Sequence, residues 1–477
     1  MIFEPLSKKD LEAVHTATLD ILSTTGVVLE GERARKALLD AGCRVDKGRL
    51  LLPAGLVEDA LRDPVSITIY GVDSSIEMPL TEAVRSYSHN FGSVSVLLEP
   101  GGQNIREATA KDLEEFIRIS DFLPHLDMVV PSLRPTDFPE EVATLAMTIC
   151  AFINTRKPVD IGTASDSWEV KCLVEAASVV RGGLDRLKQK PMGTISISPL
   201  SPLNFPADIT EAIVDCAALG LPITMLPCPT RGLTAPLTLI GGLVQQNAEQ
   251  LAFLTLAKVI NRGTPLLYTC RLAAANMRTG FVGGNDPDLG LSGACAAQIA
   301  RYYGLPSGVY GLDTGAVLPD IQSGYERAIN CLPPVLARAT FISGMGLLNG
   351  GLLASAEQLV IDDEIYAMLT HRRDGLTVNR ETIGLETISA VMEGDNFLAK
   401  EHTRDYLRRG ELYMGKLGNG AAYEEWLSQG SPDIRQSVKK RLEAILAEHP
   451  GPYLDEKMNR ELNLLLEKAA RSRTGTA

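Results

Sequence analysis

Apolar and polar positions form alternating blocks along this chain. Short apolar runs bounded by proline or glycine predict eight strands, namely Ser93–Leu98, Met128–Leu133, Val159–Thr163, Thr194–Ser198, Ile223–Leu226, Leu266–Cys270, Gly308–Leu312 and Phe341–Met345. Between most of them, apolar residues recur at helical spacing and predict helices over Pro139–Asn154, Ser167–Arg181, Pro206–Leu219, Leu239–Asn261 and Gly290–Tyr303. Strands that alternate with helices are parallel and joined by crossovers, which indicates an α/β fold.

The number of strand–helix units favours one particular α/β architecture. Eight units over about 270 residues match the typical size of a (β/α)8 TIM barrel. A doubly wound open sheet is the main alternative, but no predicted strand is followed directly by a G-x-G-x-x-G turn into a helix. The nearest match, Gly344–Gly350, has the wrong spacing. We therefore predict a TIM barrel.

Composition changes along the chain predict three regions. Residues 1–85 are predicted to form an N-terminal helical cap, with a small strand pair around Arg49–Pro53 and Val65–Tyr70. Residues 86–395 form the TIM-barrel domain. Residues 396–477 are charged and helical without a strand signal, and form a C-terminal helical extension that packs on the barrel or on a neighbouring subunit. This extension and the cap lead us to expect a homo-oligomer.

Charge and hydropathy argue against a nucleic-acid-binding protein and against a membrane-spanning protein. Forty-six basic against 59 acidic residues give a net charge of −13, which argues against a nucleic-acid surface. No apolar run reaches the roughly 20 residues that a membrane span requires. The first residues carry acids and lack the charge order of a signal peptide. We expect a cytoplasmic protein that does not associate with membranes.

The cysteines and histidines give no metal-binding pattern. The eight cysteines contain no C-x-x-C pair, and none of the six histidines is spaced for zinc. We expect no metal site and mostly reduced, buried cysteines. Cys228 and Cys270 stand out because each ends a predicted strand, although core packing is favoured for both.

One predicted helix carries an unusual group of polar residues. The segment GGLVQQNAEQLA, residues 241–252, places Gln245, Gln246, Asn247 and Glu249 in an otherwise apolar stretch. Buried amides and carboxylates are costly unless they meet partners or a ligand. The alternative is a helix start with a solvated face.

Polar residues also follow the predicted strands, where a barrel places its active site. Asn204, Arg231, Arg271 and Asp313 come shortly after the fourth to seventh strands, and Asp320 and Tyr325 are next in line. Proline-rich turns such as PCPTRG, residues 227–232, would hold these groups in place with little loss of entropy on binding.

Several long motifs in a fixed order give a more specific indication: SPLSPLNFPADI, LPCPTRGLTAP, GGLVQQNAEQLA, NMRTG, YYGLPS, DIQSGYERA and AEQLVIDDEI. With NFGS, REAT and FLAKEHT outside this central part, they resemble the trimethylamine methyltransferase family of corrinoid-dependent enzymes. The resemblance covers nearly the whole chain. It implies a (β/α)8 barrel that moves a methyl group from a methylated amine to the Co(I) centre of cobalamin carried by a separate corrinoid protein, with no tightly bound cofactor of its own.

One departure from the family bears on the substrate. Family members that act on trimethylamine carry pyrrolysine near the segment that matches Leu312–Asp320, here LDTGAVLPD with standard residues only. A neutral tertiary amine needs activation before demethylation, whereas a quaternary ammonium releases a neutral amine directly. We therefore expect glycine betaine, with proline betaine, carnitine and choline-like compounds as alternatives. There are two alternative hypotheses. The enzyme uses another methyl donor, such as a sulfonium or methoxy compound, or the protein is a non-catalytic sensor of quaternary amines.

This substrate suggests roles for the candidate residues. The acids assigned to catalysis are Glu249, Asp313 and Asp320. The residues assigned to substrate binding are Phe91, Tyr268, Tyr310 and Tyr325 as aromatic faces for the ammonium group, His89, Arg231 and Arg271 for a carboxylate, and Asn204 and Gln246 as further polar contacts. The competing interpretation is that the aromatics are core residues and the arginines pair with carboxylates at the rim.

Overall fold

The computed structural model describes residues 2–81, 85–102, 104–392 and 394–474. A seven-stranded parallel sheet lies at its centre, with strands β1 (Tyr87–Asn90), β2 (Gly162–Thr163), β3 (Ile195–Ile197), β4 (Ile223–Met225), β5 (Leu266–Cys270), β6 (Ser307–Tyr310) and β7 (Phe341–Met345). Their order across the sheet is β1-β7-β6-β5-β4-β3-β2, and every neighbouring pair is parallel. From β3 onward, each strand pairs with the strand that precedes it among these seven, as successive crossovers of one hand produce.

Further main-chain pairing links the two edges of this sheet. Met128 forms a parallel bridge to His89 on β1, and Val129 forms one to Val159, just before β2. Helices follow β1, this bridging segment and each later strand: α1 (Ala110–Phe122), α2 (Ala143–Asn154), α3 (Ser167–Arg181), α4 (Ala207–Leu219), α5 (Leu239–Ile260), α6 (Asp288–Tyr302), α7 (Ile321–Leu336) and α8 (Ala356–Thr370). The strand–helix alternation predicted from the sequence is confirmed.

Five of the eight predicted strands agree with the structure to within two residues at each end. Leu266–Cys270 and Phe341–Met345 are confirmed to the residue, and β3, β4 and β6 agree to within two residues at each end. Helix Ser167–Arg181 is likewise confirmed at both ends. It starts at the Asp166 cap, whose carboxylate accepts from the amide of Glu169 at 2.8 Å, and it stops at the left-handed Gly182.

The first predicted strand is wrong. The strand of the central sheet is Tyr87–Asn90, and only Val96–Leu98 of the predicted run is extended. Those three residues belong to a separate four-stranded sheet with Ile105–Glu107, Leu347–Leu348 and Leu353–Ser355. The sequence YSHN of β1 is polar yet buried at all four positions, because its side chains find hydrogen-bond partners, as Asn90 does with Ser120 Oγ at 3.1 Å. Hydropathy therefore misses this strand.

The predicted strand pair in the N-terminal region is also wrong in its pairing. Arg49–Leu51 pairs antiparallel with Arg44–Asp46, and Thr68–Tyr70 pairs antiparallel with Glu77–Pro79. Each strand therefore takes a partner close in sequence, for which the loop to be closed is short and the entropic cost of closure is low.

The N-terminal region packs on the central sheet and its helices. Its helices are Lys8–Asp20, Glu32–Asp40 and Ala54–Leu61, with a π-helical turn at Ile21–Thr25. Val28–Leu29 forms a parallel ladder with Asn204–Phe205 after β3. Thr18 Oγ1 accepts a hydrogen bond from the amide of Asn247 at 2.8 Å, which joins the first helix to α5. The limits of the three regions, residues 1–85, 86–395 and 396–477, remain predictions.

The described part of the C-terminal region contains helices and no strand after residue 396, as predicted. Its helices are Glu401–Arg408, Tyr423–Ser428, Ile434–Glu448 and Glu456–Thr474, preceded by the short helices Arg380–Ile383 and Leu385–Ser389. Ile434–Glu448 packs against α1 and α8, and Glu456–Thr474 packs against α3. Within the described residues, no helix combines the length and apolarity needed to cross a membrane.

A buried arginine joins the carboxyl ends of β6 and β7. Arg327 on α7 and Asp362 on α8 are both fully buried and form an ion pair at 2.9 Å. The same guanidinium donates to the carbonyl oxygens of Leu312, Gly344 and Leu347. Gly344 has φ +121°, and a Cβ there would lie 2.2 Å from the carbonyl oxygen of Leu312. The chain after β6 is therefore held in a fixed position.

We expect the substitution Asp362→Asn to lower the free energy of unfolding by about 3–5 kcal/mol, because it leaves the Arg327 guanidinium buried without a compensating charge. Chemical denaturation followed by far-UV circular dichroism measures this change. The control is Glu386→Gln, which removes a carboxylate from the exposed Arg380–Glu386 pair and should change stability by less than about 1 kcal/mol. Equal effects of the two substitutions would contradict the role assigned to the buried pair.

Candidate active site

A cavity of about 310 Å³ lies at the carboxyl ends of the parallel strands. Apolar side chains of Met128, Val130, Leu226 and Leu267 form much of its wall. Its polar lining includes hydroxyl groups and three ionisable side chains: Ser196, Ser198, Thr224, Thr269, His89, Asp160 and Arg271. A mostly apolar pocket with a few convergent polar groups at this end of an α/β sheet is typical of a small-molecule site.

Arg271 enters the cavity because it continues the alternation of β5. Leu267 and Thr269 line the cavity, so the residue two positions later points the same way, whereas Tyr268 and Cys270 point toward the helices. The Arg271 guanidinium lies over two rings, with Cζ 5.0 Å from the centroid of Phe91 and 4.5 Å from that of Tyr310. The two rings meet edge to face at 4.8 Å.

The Arg271 side chain is buried and lacks an acidic partner. It is 5% exposed, and no carboxylate of the described residues lies within ion-pair distance of it. Its guanidinium makes one weak hydrogen bond, from Nη1 to the carbonyl oxygen of Cys270 at 3.4 Å, and Nε is unpaired. Buried charges are normally paired. This guanidinium is therefore available to bind an anionic group of a ligand.

The polar row of α5 fixes the main chain that carries Arg271. The amide oxygen of Gln246 accepts from the backbone N–H of Arg271 at 3.2 Å. The side-chain amides of Gln246 and Gln250 both donate to the carbonyl oxygen of Thr269, at 3.3 and 2.6 Å. Gln250 also donates to Met225 at the end of β4, at 3.1 Å. The prediction of buried, partnered amides is confirmed, and the alternative of a solvated face is wrong.

Glu249 lies on the same helix but belongs to a neighbouring turn rather than to the cavity wall. Its carboxylate is fully buried and accepts from Ser201 Oγ at 2.8 Å, from the backbone N–H of Leu203 at 2.9 Å and from Gln245 at 3.1 Å. Burial raises the pKa of Glu249, and these three donors oppose the shift. The structure thus gives Glu249 a position in the support of the turn after β3.

Asp160 and His89 are the other ionisable groups of the cavity. Burial raises the pKa of Asp160 to about 6, while hydrogen bonds from Gly162 and Ser196 and the charge of Arg271 oppose this. Burial and the nearby Arg271 charge lower the pKa of His89 to about 3, so its imidazole is neutral at physiological pH. His89 Nδ1 contacts the carbonyl oxygen of Asn90. His89 is therefore a neutral polar group in the wall.

The structure brings some of the predicted site residues together and leaves others apart. His89, Phe91 and Arg271 line the cavity, and Tyr310 stacks with two of them. Asp313 follows β6 and accepts from the amide of Thr314 at 2.8 Å, and its pKa is raised by burial. Tyr310 itself does not line the cavity, and neither do Asn204, Arg231, Gln246, Glu249, Tyr268, Asp313, Asp320 and Tyr325.

The contacts of the separated residues explain their positions. Tyr268 donates its hydroxyl to Asn247 at 3.0 Å on the helix side of β5. The Arg231 guanidinium pairs with Asp286 and, at 3.3 Å, with Asp288, as the rim-pairing interpretation anticipated. Asp320 caps α7 by accepting from two of its amides.

Three further predicted residues are placed by secondary structure. Tyr325 is exposed on α7, and Asn204 forms part of the ladder with Val28–Leu29. Of the two cysteines singled out, Cys270 is buried in the core, as predicted. Cys228 is exposed, which contradicts core packing at that position.

Asp160 is the ionisable cavity residue that sequence reasoning missed. It lies inside the predicted strand Val159–Thr163, so the inspection of residues beyond strand ends passed over it. A lone acid within an apolar run is the signal that identifies it. Within the described ranges, no group of three or more His, Cys, Asp or Glu side chains has the geometry to hold a metal ion.

Exposed apolar side chains occur in the segments that follow four strands of the central sheet, at the end of the sheet that carries the cavity. Each belongs to a segment that follows a strand of the central sheet: Leu200 after β3, Leu233 and Leu237 after β4, Met277 after β5, and Val317, Leu318 and Ile321 after β6. Met277 is 66% exposed and Leu233 60%. Exposed apolar side chains at one end of a protein are candidates for an interaction surface.

The chain matches a known protein family over almost its whole length. The model of the trimethylamine methyltransferase family matches residues 1–473. The trimethylamine methyltransferase MttB of Desulfitobacterium hafniense is 30% identical over 465 residues, 97% of this chain and 93% of that protein. A glycine betaine methyltransferase of Desulfitobacterium hafniense is 28% identical over 474 residues, 97% and 96% of the two chains.

A solved structure shares the fold at low sequence identity. The monomethylamine methyltransferase MtmB of Methanosarcina barkeri superposes with a TM-score of 0.53 and 12% identity, covering 93% of this chain and 89% of that one. This similarity concerns the fold alone.

We expect Glu249→Ala to lower the free energy of unfolding by about 2–4 kcal/mol, because Ser201 Oγ and the N–H of Leu203 lose their shared acceptor in a buried setting. Denaturant titration measures this loss. The control Glu443→Ala removes an exposed carboxylate from helix Ile434–Glu448 and should leave stability within about 0.5 kcal/mol. An unchanged midpoint for Glu249→Ala would rule out its supporting role.

Proposed function

Because this chain belongs to the trimethylamine methyltransferase family, we propose that it transfers a methyl group from a quaternary amine to the Co(I) centre of a separate corrinoid protein. Glycine betaine is the substrate that the site favours most. The similarity to a glycine betaine methyltransferase over 97% of the chain supports this choice. The catalytic contribution of the chain is to bind, orient and desolvate the substrate.

The observation that carries the substrate proposal is the unpaired guanidinium of Arg271 in the cavity. A betaine has a carboxylate beside its ammonium group, and a planar guanidinium binds a carboxylate through two parallel hydrogen bonds. Trimethylamine has no carboxylate and gives this arginine no partner. The guanidinium packs over Phe91 and Tyr310, which restricts its motion, so little side-chain entropy is lost when the carboxylate binds.

The chemistry of the leaving group agrees with a quaternary substrate. When a methyl group leaves a quaternary ammonium, the nitrogen keeps the electron pair of the broken C–N bond and departs as a neutral amine. No general acid is needed for this step. The neutral imidazole of His89 and the fully engaged carboxylate of Glu249 are consistent with a site that does not donate a proton.

The corrinoid would be brought by the partner protein, and it supplies the nucleophile that accepts the methyl group. The exposed apolar side chains at the end of the sheet that carries the cavity give that partner a surface to bind, and binding there would exclude water from the substrate. Met277 and Leu237 lie side by side in this surface, since a Cβ placed on Gly232 would contact both.

We propose in addition that the central sheet closes into a (β/α)8 barrel, with Met128–Val130 as the remaining strand. The bridges from Met128 to His89 and from Val129 to Val159 support this closure. Hydrogen bonds from the amide of Val129 to Pro158, and from the amide of Asp160 to Val129, run across the same gap at 2.8 and 3.0 Å.

We expect the purified protein to convert Co(I) cobalamin to methyl-Co(III) cobalamin with glycine betaine and not with trimethylamine, as followed by visible absorbance under anaerobic conditions. Arg271→Met should reduce kcat/KM for the betaine by at least about 100-fold, because the carboxylate loses its charged partner. The matched control is Arg278→Met, which removes an exposed guanidinium seven residues further along the same segment.

Transfer assays with other methyl donors distinguish the proposed function from the alternative hypotheses. Transfer from carnitine or proline betaine, and not from glycine betaine, would keep the reaction and change the substrate. Tight betaine binding without transfer to any Co(I) corrinoid would instead identify a sensor. Full activity of Arg271→Met would contradict the carboxylate site.

The apolar surface gives a separate prediction for partner binding. We expect Met277→Glu to raise KM for a corrinoid protein about tenfold, because it places a charge in the centre of an apolar contact. The rate with free cobalamin, which needs no protein contact, should stay the same. Leu464→Glu, on an exposed position of the last helix, is the control. An equal loss of rate with free cobalamin would show damage to the cavity rather than to the partner surface.

A further inference from the structure

Asp160 is an acidic side chain without a charged partner in the cavity that contains Arg271. It is 8% exposed, and no cationic side chain of the described chain lies within ion-pair distance of its carboxylate. Arg271 and Asp160 line the same cavity, yet they form no ion pair with each other. The cavity therefore contains two buried, opposite charges, and neither is paired with a described residue.

The carboxylate of Asp160 is held in a fixed orientation. One oxygen accepts from the backbone N–H of Gly162 on β2 at 2.9 Å, and the other accepts from Ser196 Oγ on β3 at 2.9 Å. Each oxygen keeps a further lone pair. Buried charges are stable only when a partner compensates them, so two separated charges of opposite sign point to a ligand that has a charge at each end.

The aromatic faces of the cavity cannot provide the counter-charge for an ammonium group. Of the four rings predicted to face the ammonium group, Tyr268 lies on the helix side of β5 and Tyr325 is exposed on α7. The two remaining rings, Phe91 and Tyr310, both face the guanidinium of Arg271. A second cation over the same faces would be repelled by that arginine.

We propose that Asp160 is the counter-ion of the quaternary ammonium group, while Arg271 binds the carboxylate of the same molecule. This inference rests on the proposed function and explains its substrate specificity. The cavity binds zwitterions in preference to simple cations and simple anions. Choline and tetramethylammonium would leave Arg271 unpaired, and a carboxylate without an ammonium group would leave Asp160 unpaired.

The role of Asp160 concerns binding more than the rate of the chemical step. As the methyl group leaves, the nitrogen keeps the electron pair of the broken bond and its positive charge disappears. The attraction between Asp160 and the nitrogen is therefore strongest in the bound substrate and weaker in the transition state. A variant without this charge should raise KM while it preserves kcat.

The test compares glycine betaine with 3,3-dimethylbutyrate, which has the same shape and a carbon atom in place of the nitrogen. Isothermal titration calorimetry gives the affinity of both probes for the unsubstituted protein and for Asp160→Asn. We expect Asp160→Asn to weaken glycine betaine binding by at least about tenfold and to leave 3,3-dimethylbutyrate binding within about twofold. Steady-state transfer to Co(I) cobalamin should show the increase in KM with kcat retained.

The control is Glu169→Gln, which removes one negative charge from the adjoining cavity that Asp160 also lines, but not from the wall of the cavity that contains Arg271, and should change neither affinity. Unchanged betaine affinity in Asp160→Asn would overturn the inference. An equal loss for both probes would overturn it too, because it would indicate a structural role. Failure of the unsubstituted protein to bind any betaine would contradict the proposed substrate as well, so the two failures are distinguishable.

A measurement on the unsubstituted protein does not depend on the variant folding. Asp160 has a pKa raised to about 6, so protonation below that value removes its charge. In the cavity that contains Arg271, His89 stays neutral over this range because its pKa is lowered to about 3. Asp160 also lines the adjoining cavity, whose charged side chains are Arg134, paired with Glu140 at 2.6 Å, and Glu169, which accepts from the backbone N–H of Ser165 at 2.7 Å. Betaine affinity should fall between about pH 8 and about pH 5.5, and 3,3-dimethylbutyrate affinity should not. A flat betaine profile would overturn the inference.

Discussion

Hydrogen bonds from one buried helix to the ends of its neighbouring strands determine where the cavity groups lie. Amide groups of α5 satisfy the carbonyl oxygens of Met225 and Thr269 and the backbone N–H of Arg271. The carboxylate of Glu249, on the same helix, accepts hydrogen bonds from Ser201 Oγ and the backbone N–H of Leu203 in the turn after β3. Without these side chains, the backbone N–H groups of Arg271 and Leu203 would lose their acceptors in a buried setting, at a cost of about 1–3 kcal/mol each. The position of α5 and the position of the arginine are therefore coupled.

A second constraint is electrostatic and belongs to the cavity itself. Phe91 and Tyr310 stabilise the Arg271 guanidinium on its aromatic side, while Asp160 is held by donors from β2 and β3. The two charges are kept apart because each is fixed by a different part of the sheet. A flexible site would let them collapse into an ion pair, so rigid strands are a requirement for the geometry that the proposed substrate needs.

Sequence reasoning identified the parts of the fold whose signal is local. Strand β5 and helix α3 were found because their apolar pattern and their end signals coincide. It missed β1, since a polar strand is buried through hydrogen bonds that hydropathy does not register. It could not orient Tyr268, because both faces of a buried parallel strand are apolar. It recognised Arg271 from its place after a strand, but the pairing of Arg231 with Asp286, 55 residues away, depends on tertiary structure.

The unpaired guanidinium also affects the stability of the empty protein. A buried cation that has no anion beside it destabilises the folded state. An apolar residue of similar length at position 271 would give a more stable folded protein. Any carboxylate that occupies the cavity removes this penalty and adds its own binding free energy to the folded state. Resistance to heat and to proteolysis should therefore track the local supply of ligand, so that the protein persists where its substrate is present.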